Sequence, residues 1–88
     1  MKKVLAPLPR SFFFKVHGGP YQIAGLPDII GCYSGRFVAI EVKRPGNTPT
    51  KLQLAIMKKL ADAGATVGVA YSVEEAQAII DRVGVQAL

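Results

Sequence analysis

The feature that most constrains this chain is the pair Ser34-Gly35, which stands between two β-prone stretches. A two-residue loop of this kind is typical of a β-hairpin. The register that follows places Asp28 directly opposite Glu41, with Cβ atoms about 4.5–5.5 Å apart. Two carboxylates at that separation repel each other, and a divalent cation between them reverses the sign of the interaction. The same register pairs Tyr33 with Arg36, Cys32 with Phe37, and Ile30 with Ala39.

Lys43 extends the acidic pair into a candidate catalytic group, because it lies two residues beyond Glu41 and points to the same face of the strand. Taken alone, Asp28 is better explained as a turn residue after a proline. Taken alone, Glu41 would be a solvent-facing strand residue. Phe37 and Ala39 share its face, however, and we expect them to be at least partly buried. A carboxylate among apolar residues needs a partner or a metal, so the group together favours a metal site. An acid pair beside a lysine is what metal-assisted phosphodiester cleavage needs.

Size and charge place the chain in a broad class. Its 88 residues predict a single domain spanning 1–88, and half of them are hydrophobic. Eleven Lys and Arg against six Asp and Glu give a net charge of +5, which fits a polyanionic partner or simply a basic protein. The single cysteine, Cys32, excludes an intrachain disulfide and suits a reducing compartment; we expect it to pack in the core. With no apolar run long enough to span a membrane, we expect a cytoplasmic location.

Hydrophobic periodicity predicts the element order β-β-β-α-β-α and an α/β fold. The strands are expected at 11–17, 28–33, 36–43 and 66–71, after an irregular arm over residues 1–10. Thr50 with Gln53 and Ser72 with Glu75 fit capping boxes that begin two helices. Glycines at positions 64 and 84 are expected to end those helices. An antiparallel hairpin followed by a strand–helix–strand crossover implies a mixed sheet with helices packed against it.

Other polar residues have a structural and a functional interpretation. Gln53 either completes the Thr50 capping box or reaches the rim of the acidic pair, and the sequence favours neither. His17, the only histidine, is more simply an ordinary residue at a strand end. Lys15, His17, Tyr21 and Gln22 together could contact a sugar-phosphate backbone, and Arg44 and Lys51 could extend that basic surface.

The motifs also resemble a known family. The segments Gly25-Leu26-Pro27-Asp28 and Ala39-Ile40-Glu41-Val42-Lys43-Arg44-Pro45, with Gln53 and Ala63-Gly64, are similar to the VRR-NUC domain, a branch of the PD-(D/E)xK nuclease superfamily. The flanking segments Lys15-Val16-His17-Gly18-Gly19 and Pro20-Tyr21-Gln22 resemble the same branch. The resemblance runs from about Phe13 to Ser72.

The resemblance implies a restriction-endonuclease-like fold and cleavage of DNA that depends on magnesium or manganese. Asp28, Glu41 and the Val42 carbonyl would bind the metal. Lys43 would position the attacking water, and Gln53 would support the site. Small stand-alone members of the family, many of them phage-borne, are thought to act as dimers on branched DNA such as four-way junctions.

The chain departs from the family at its amino-terminal end. Members usually begin with a longer helix bearing a Glu that helps to complete the metal site, but no acidic residue precedes Asp28 here. The resemblance therefore implies a shortened N-terminal helix region, with water or substrate oxygens in place of that Glu. It also leaves open a non-catalytic, basic DNA-binding module that keeps the nuclease fold.

Apolar residues near the amino terminus predict self-association. Leu5, Leu8 and Phe12–Phe14 offer more apolar surface than a single shortened layer is expected to cover. Exposed patches of this kind usually mark interfaces. We therefore expect a homodimer, whose two-fold symmetry would set two sites against two strands of DNA.

Overall fold

The described residues, 10–16 and 24–86 of a computed structural model, form a four-stranded mixed β-sheet and two α-helices. The strands lie side by side in chain order. This confirms the coarse α/β class predicted from the sequence. The elements are β1 (Ser11–Lys15), β2 (Ile29–Tyr33), β3 (Arg36–Val42), α1 (Lys51–Asp62), β4 (Thr66–Ala70) and α2 (Val73–Gln86).

The hairpin between β2 and β3 has the predicted register. Ile30 pairs with Ala39 and the antiparallel ladder ends at Ile29 opposite Ile40. The turn residues Ser34 and Gly35 both have positive φ, of 50° and 82°, as a tight hairpin turn with right-handed strand twist requires. The predicted strand 28–33 had implied that Asp28 pairs with Glu41 in the ladder. Instead, Asp28 lies one residue outside the ladder and is not a backbone partner of Glu41.

The crossover through α1 makes the sheet mixed, as predicted. β1 and β2 pair antiparallel, whereas β3 and β4 pair parallel, with Val38 opposite Thr66 and Val42 opposite Ala70. One further bond, from the Lys43 amide to the Ala70 carbonyl at 3.0 Å, continues the parallel pairing past the end of β3. The residues that follow Glu41 are thus held against β4.

The two helices cover opposite faces of the sheet. On one face Val38 and Ile40 pack against α2 in a core of buried aliphatic residues. Glu41 alternates with Ile40 and so points to the other face, where Gln53 of α1 contacts it. The buried residues of the α2 face are Ile29, Val38, Ile40, Ala70, Ala76, Ile79, Ile80 and Val83.

Both helices start where the predicted capping residues place them, but one of them does not end where predicted. Thr50 and Gln53 form the reciprocal capping box of α1, and Gly64, with φ of 108°, follows its end. At the start of α2, Ser72 Oγ accepts the Glu75 amide at 3.1 Å, but Glu75 Oε1 accepts the Tyr71 amide at 2.7 Å, so only half of the predicted box forms. The prediction that Gly84 ends α2 is wrong, since the helix continues to Gln86. A single glycine costs a helix only about 1 kcal/mol relative to alanine and does not by itself terminate it.

One burial prediction on the hairpin is also wrong, because Cys32 is exposed rather than packed in the core. Ala39 is buried as expected, and Phe37 is covered only in part, with 43% of its surface exposed. Cys32 and Phe37 lie on the face opposite α2, which α1 covers at only one end. Strand β1 ends at Lys15, one residue before the described Val16, and His17, the last residue of the predicted strand, lies outside the described residues. So does the predicted N-terminal helix region. No described helix has the length and apolar character needed to cross a membrane.

Candidate functional site

Asp28 is fixed at the end of the sheet by hydrogen bonds to the strands on either side of β2. Its backbone carbonyl accepts the Val16 amide at 2.7 Å, and its Oδ2 atom accepts the Val42 amide at 2.9 Å. The carboxylate thus takes the place of the next ladder residue between β2 and β3. This explains why Asp28 lies close to Glu41 although Asp28 is outside strand β2.

The loop before Asp28 packs against the first turn of α1. Gly25 has φ of +84°, and a Cβ atom there would lie 2.8 Å from Leu52 Cγ and 3.2 Å from the Leu52 backbone. A side chain at this position would therefore clash as well as strain the backbone. Pro27 is fully buried at the end of the loop. The glycine and proline of the sequence motif thereby hold Asp28 and the start of α1 together.

Glu41 is the least ordinary residue of the site, because its carboxylate is buried. The residue is 1% exposed, and its Oε2 atom has no hydrogen-bond partner among the described residues. Burial raises the pKa of Glu41 to about 8; the neighbouring Asp28 carboxyl adds to this, and the Lys43 charge opposes it. Full ionisation of Asp28 and Glu41 would leave two unneutralised charges close together.

Gln53 fills both of the roles that the sequence left open. Its side-chain Oε1 atom accepts the Thr50 backbone amide at 2.8 Å, while the Gln53 backbone amide donates to Thr50 Oγ1 at 3.1 Å. Its Nε2 atom then donates to Glu41 Oε1 at 3.4 Å. The capping box orients the carboxamide, because fixing Oε1 on the helix end turns the NH₂ group toward Glu41.

Lys43 and Val42 complete the group predicted from the sequence. The half-buried Lys43 is close enough for its charge to lower the pKa of Glu41. The Val42 amide is engaged by Asp28, so the backbone whose carbonyl the family resemblance assigns to a metal lies beside a carboxylate. The structure thus brings together Asp28, Glu41, Val42, Lys43 and Gln53.

The oxygen ligands of this site suit a hard divalent cation, which would also relieve the unfavourable arrangement of the two carboxylates. No cluster of three or more His, Cys, Asp or Glu side chains that could hold a metal is present in 10–16 and 24–86, so protein carboxylates would supply only two ligands. Mg²⁺ commonly binds through one or two carboxylates and keeps several waters. A cation at Glu41 Oε2 would satisfy the unpartnered oxygen and cancel the repulsion from Asp28.

The predicted DNA-contacting residues are only partly covered by the described structure. Lys15 is exposed on the edge strand β1, Arg44 is exposed just after β3, and Lys51 is exposed at the first position of α1. His17, Tyr21 and Gln22 lie outside the described residues.

Phe12, Phe13 and Phe14 were all expected at an apolar interface, without distinction among the three. Phe12, Phe14 and Phe37 remain 71%, 49% and 43% exposed, whereas Phe13 packs against the core. Because side chains alternate along a strand, Phe12 and Phe14 point to the face opposite Phe13. This alternation could have shown from the sequence that Phe13 would be separated from the other two.

Comparison with known proteins finds no matching family model, no similar curated protein and no similar solved structure.

Proposed function

We propose that this chain is a metal-dependent DNA endonuclease of the VRR-NUC type, with a restriction-endonuclease-like fold. The observation that carries the proposal is the buried Glu41 carboxylate, whose Oε2 atom has no partner while Asp28 lies beside it. Retaining such a pair in a small domain is unfavourable unless a proton or a cation neutralises it, and a metal site gives a functional reason for keeping it. Asp28, Glu41 and the Val42 carbonyl would hold Mg²⁺ or Mn²⁺.

The chain's own residues divide the remaining work. A bound cation supplies an activated water and offsets the charge that develops on the phosphate. The Lys43 ammonium would orient the attacking water or stabilise the charge that develops on the phosphate. Gln53 donates to Glu41 Oε1 through its NH₂ group and so helps to orient the carboxylate that would bind the cation.

The proposed substrate is DNA, and branched DNA such as a four-way junction in particular. The net charge of +5 and the exposed Lys15, Arg44 and Lys51 support a polyanionic substrate. The preference for branched DNA rests on the family resemblance alone.

The decisive measurement is cleavage of a four-way junction by the purified protein with magnesium. Glu41→Gln keeps the size of the side chain and removes its charge. We expect the variant to lose more than about a hundredfold in rate, as happens when one preorganised charge-stabilising group is lost. Glu74→Gln, an exposed substitution on α2, is the matched control and should cleave like the wild type. Unchanged cleavage by Glu41→Gln would show that this site assignment is wrong.

A non-catalytic DNA-binding module is the second candidate. The observation that favours it is the absence of a third acidic ligand around Asp28 and Glu41 in the described residues. Calorimetric titration with magnesium and manganese separates the two functions. Saturable binding supports the nuclease, whereas no metal binding together with intact DNA affinity supports the binding module.

A homodimer is part of the proposal, since paired incisions of a junction need two sites. Of the three phenylalanines expected at an interface, Phe12 and Phe14 remain exposed, whereas Phe13 packs against the core of its own subunit. Leu5 and Leu8 lie outside the described residues. Leu52 and Leu54 on α1 are 49% and 51% exposed and offer apolar surface elsewhere. Light scattering should report about twice the chain mass, and a monomer that still cleaves junctions would exclude a required dimer.

A further inference from the structure

An open apolar surface lies on the same face of the sheet as Glu41. Phe12, Cys32 and Phe37 form one row across β1, β2 and β3, and Phe14, Ile30 and Ala39 form the next row. The rings of Phe12 and Phe14 have centroids 6.1 Å apart and are tilted by 49°. Three phenylalanines thus surround an exposed thiol on a part of the sheet that α1 leaves bare.

The charge around this surface selects a polyanionic partner. Lys15 and Arg36 pair with Ile29 and Tyr33 and so point to the α2 face. The helix α1, however, flanks this surface on the same side of the sheet as Glu41, and it carries three lysines, Lys51, Lys58 and Lys59, against one acidic residue, Asp62. The acidic residues of α2, Glu74, Glu75 and Asp81, lie on the opposite face of the sheet. A second copy docked face to face would bring the lysines of two such helices together, whereas a nucleic acid would neutralise them.

We infer that Phe12, Phe14 and Phe37 form a stacking platform for the bases of an unpaired DNA strand. Exposed aromatic rings on a β-sheet, flanked by cations, stack on splayed bases without regard to sequence. A B-form duplex keeps its base faces covered and cannot use such a surface. The partner class, DNA, rests on the proposed function, whereas the surface and its preference for unpaired strands do not depend on cleavage.

The platform also leads toward the acidic pair. Phe37 and Glu41 lie on the same face of β3, four residues apart, which is about 13 Å along a strand. An unpaired strand stacked on the phenylalanines would therefore pass its backbone close to Asp28 and Glu41. This would make the junction between paired and unpaired DNA the preferred position of the substrate.

Binding without cleavage tests the inference. Fluorescence anisotropy in EDTA compares a labelled oligothymidylate with a duplex of the same length. Phe12→Leu and Phe14→Leu keep an apolar side chain and remove the ring. We expect each to weaken oligothymidylate binding at least about fivefold and to leave duplex binding unchanged. Val73→Ala, an exposed apolar substitution on the opposite face, is the matched control and should change neither affinity.

Two reporters show where the strand binds. Cys32 is the only cysteine, so its rate of maleimide labelling should fall several-fold when oligothymidylate binds and should not fall with duplex. The chain has no tryptophan, so Phe12→Trp introduces a single fluorophore that stacking should quench.

Three results would overturn the platform. One is unchanged labelling of Cys32 when oligothymidylate is bound. Another is an equal loss of single-strand and duplex binding in the leucine variants. The third is protection of Cys32 that grows with protein concentration alone, with a fall in mass in the leucine variants, because a second copy would then occupy the face. Because these measurements contain no divalent metal, their failure is distinct from a failure of the proposed cleavage.

Discussion

The two faces of the sheet use adjacent residues of one strand for opposite purposes. Ile40 points into the aliphatic core beneath α2, while the next residue, Glu41, is buried on the other face as a carboxylate with an unpartnered oxygen. The α2 face is closed by apolar packing. The other face is covered by α1 at one end only and leaves Phe12 and Phe37 exposed. One face therefore stabilises the fold, and the other holds the proposed site at some expense of stability.

The largest expected difference between the faces is the loss of stability when a large side chain is truncated to alanine. Ile80→Ala should lower the free energy of unfolding by about 2–5 kcal/mol, because it leaves a cavity in the packed α2 face. Phe12→Ala, on the open face, should change it by about 0.5 kcal/mol or less. Urea denaturation followed by circular dichroism measures both. Similar losses for the two variants would show that the faces are not different in this way.

The next effect is the dependence of the stability of the metal-free protein on pH. The pKa of Glu41 is raised from 4.5 to about 8 in the folded state, so between these values the folded chain holds a proton that the unfolded chain has released. The free energy of unfolding should therefore fall as pH rises through this window. The destabilisation is fully present above pH 8 and absent below about 4.5.

Glu41→Gln removes this titration and should stabilise the metal-free protein. The gain over the wild type should be close to zero near pH 4.5 and grow to the order of 1–3 kcal/mol at pH 8 and above. Denaturation series in EDTA at several pH values, with Glu74→Gln as control, give the comparison. A gain that does not vary with pH would contradict the buried, shifted carboxyl.

Metal affinity should depend on the same proton of Glu41, but it should rise with pH, whereas the stability of the metal-free protein falls. A cation must displace the proton on Glu41, so apparent magnesium affinity should rise up to about tenfold per pH unit below pH 8 and level off above it. Calorimetry at pH 6, 7 and 8 tests this expectation. A flat profile over that range would show that Glu41 does not bind the metal as a carboxylate.

The smallest expected effect separates the two roles of Gln53. Gln53→Ala removes both the cap and the contact to Glu41, and should lower stability by about 1 kcal/mol. Gln53→Glu keeps an acceptor for the Thr50 amide but replaces the donor to Glu41 with a third carboxylate. It should tighten metal binding and destabilise the metal-free protein above neutral pH. Equal metal affinity in the two variants would show that Gln53 acts only as a cap.

Much of the fold could be predicted because it depends on local rules. The Ser34-Gly35 turn sets the hairpin register, and Thr50 with Gln53 sets the start of α1. The candidate site was predicted in part. The pairing of Asp28 with Glu41 was expected across the ladder, whereas Asp28 reaches the site from outside it through the Val42 amide. That bond joins residues 14 positions apart, and periodicity carries no information about it.

The sequence by itself determined the order of the elements along the chain, the starts of the two helices and which residues of the hairpin share a face, because turn chemistry and side-chain alternation act over a few residues. Only the tertiary structure decided which face is covered. Glu41 and Cys32 both lie on the face opposite α2, yet Glu41 is buried and Cys32 is exposed. The physical reason is that burial depends on where α1 and the Gly25 loop pack, and therefore on contacts between distant segments. The raised pKa of Glu41 follows from that packing, and the chemistry proposed for this face depends on it.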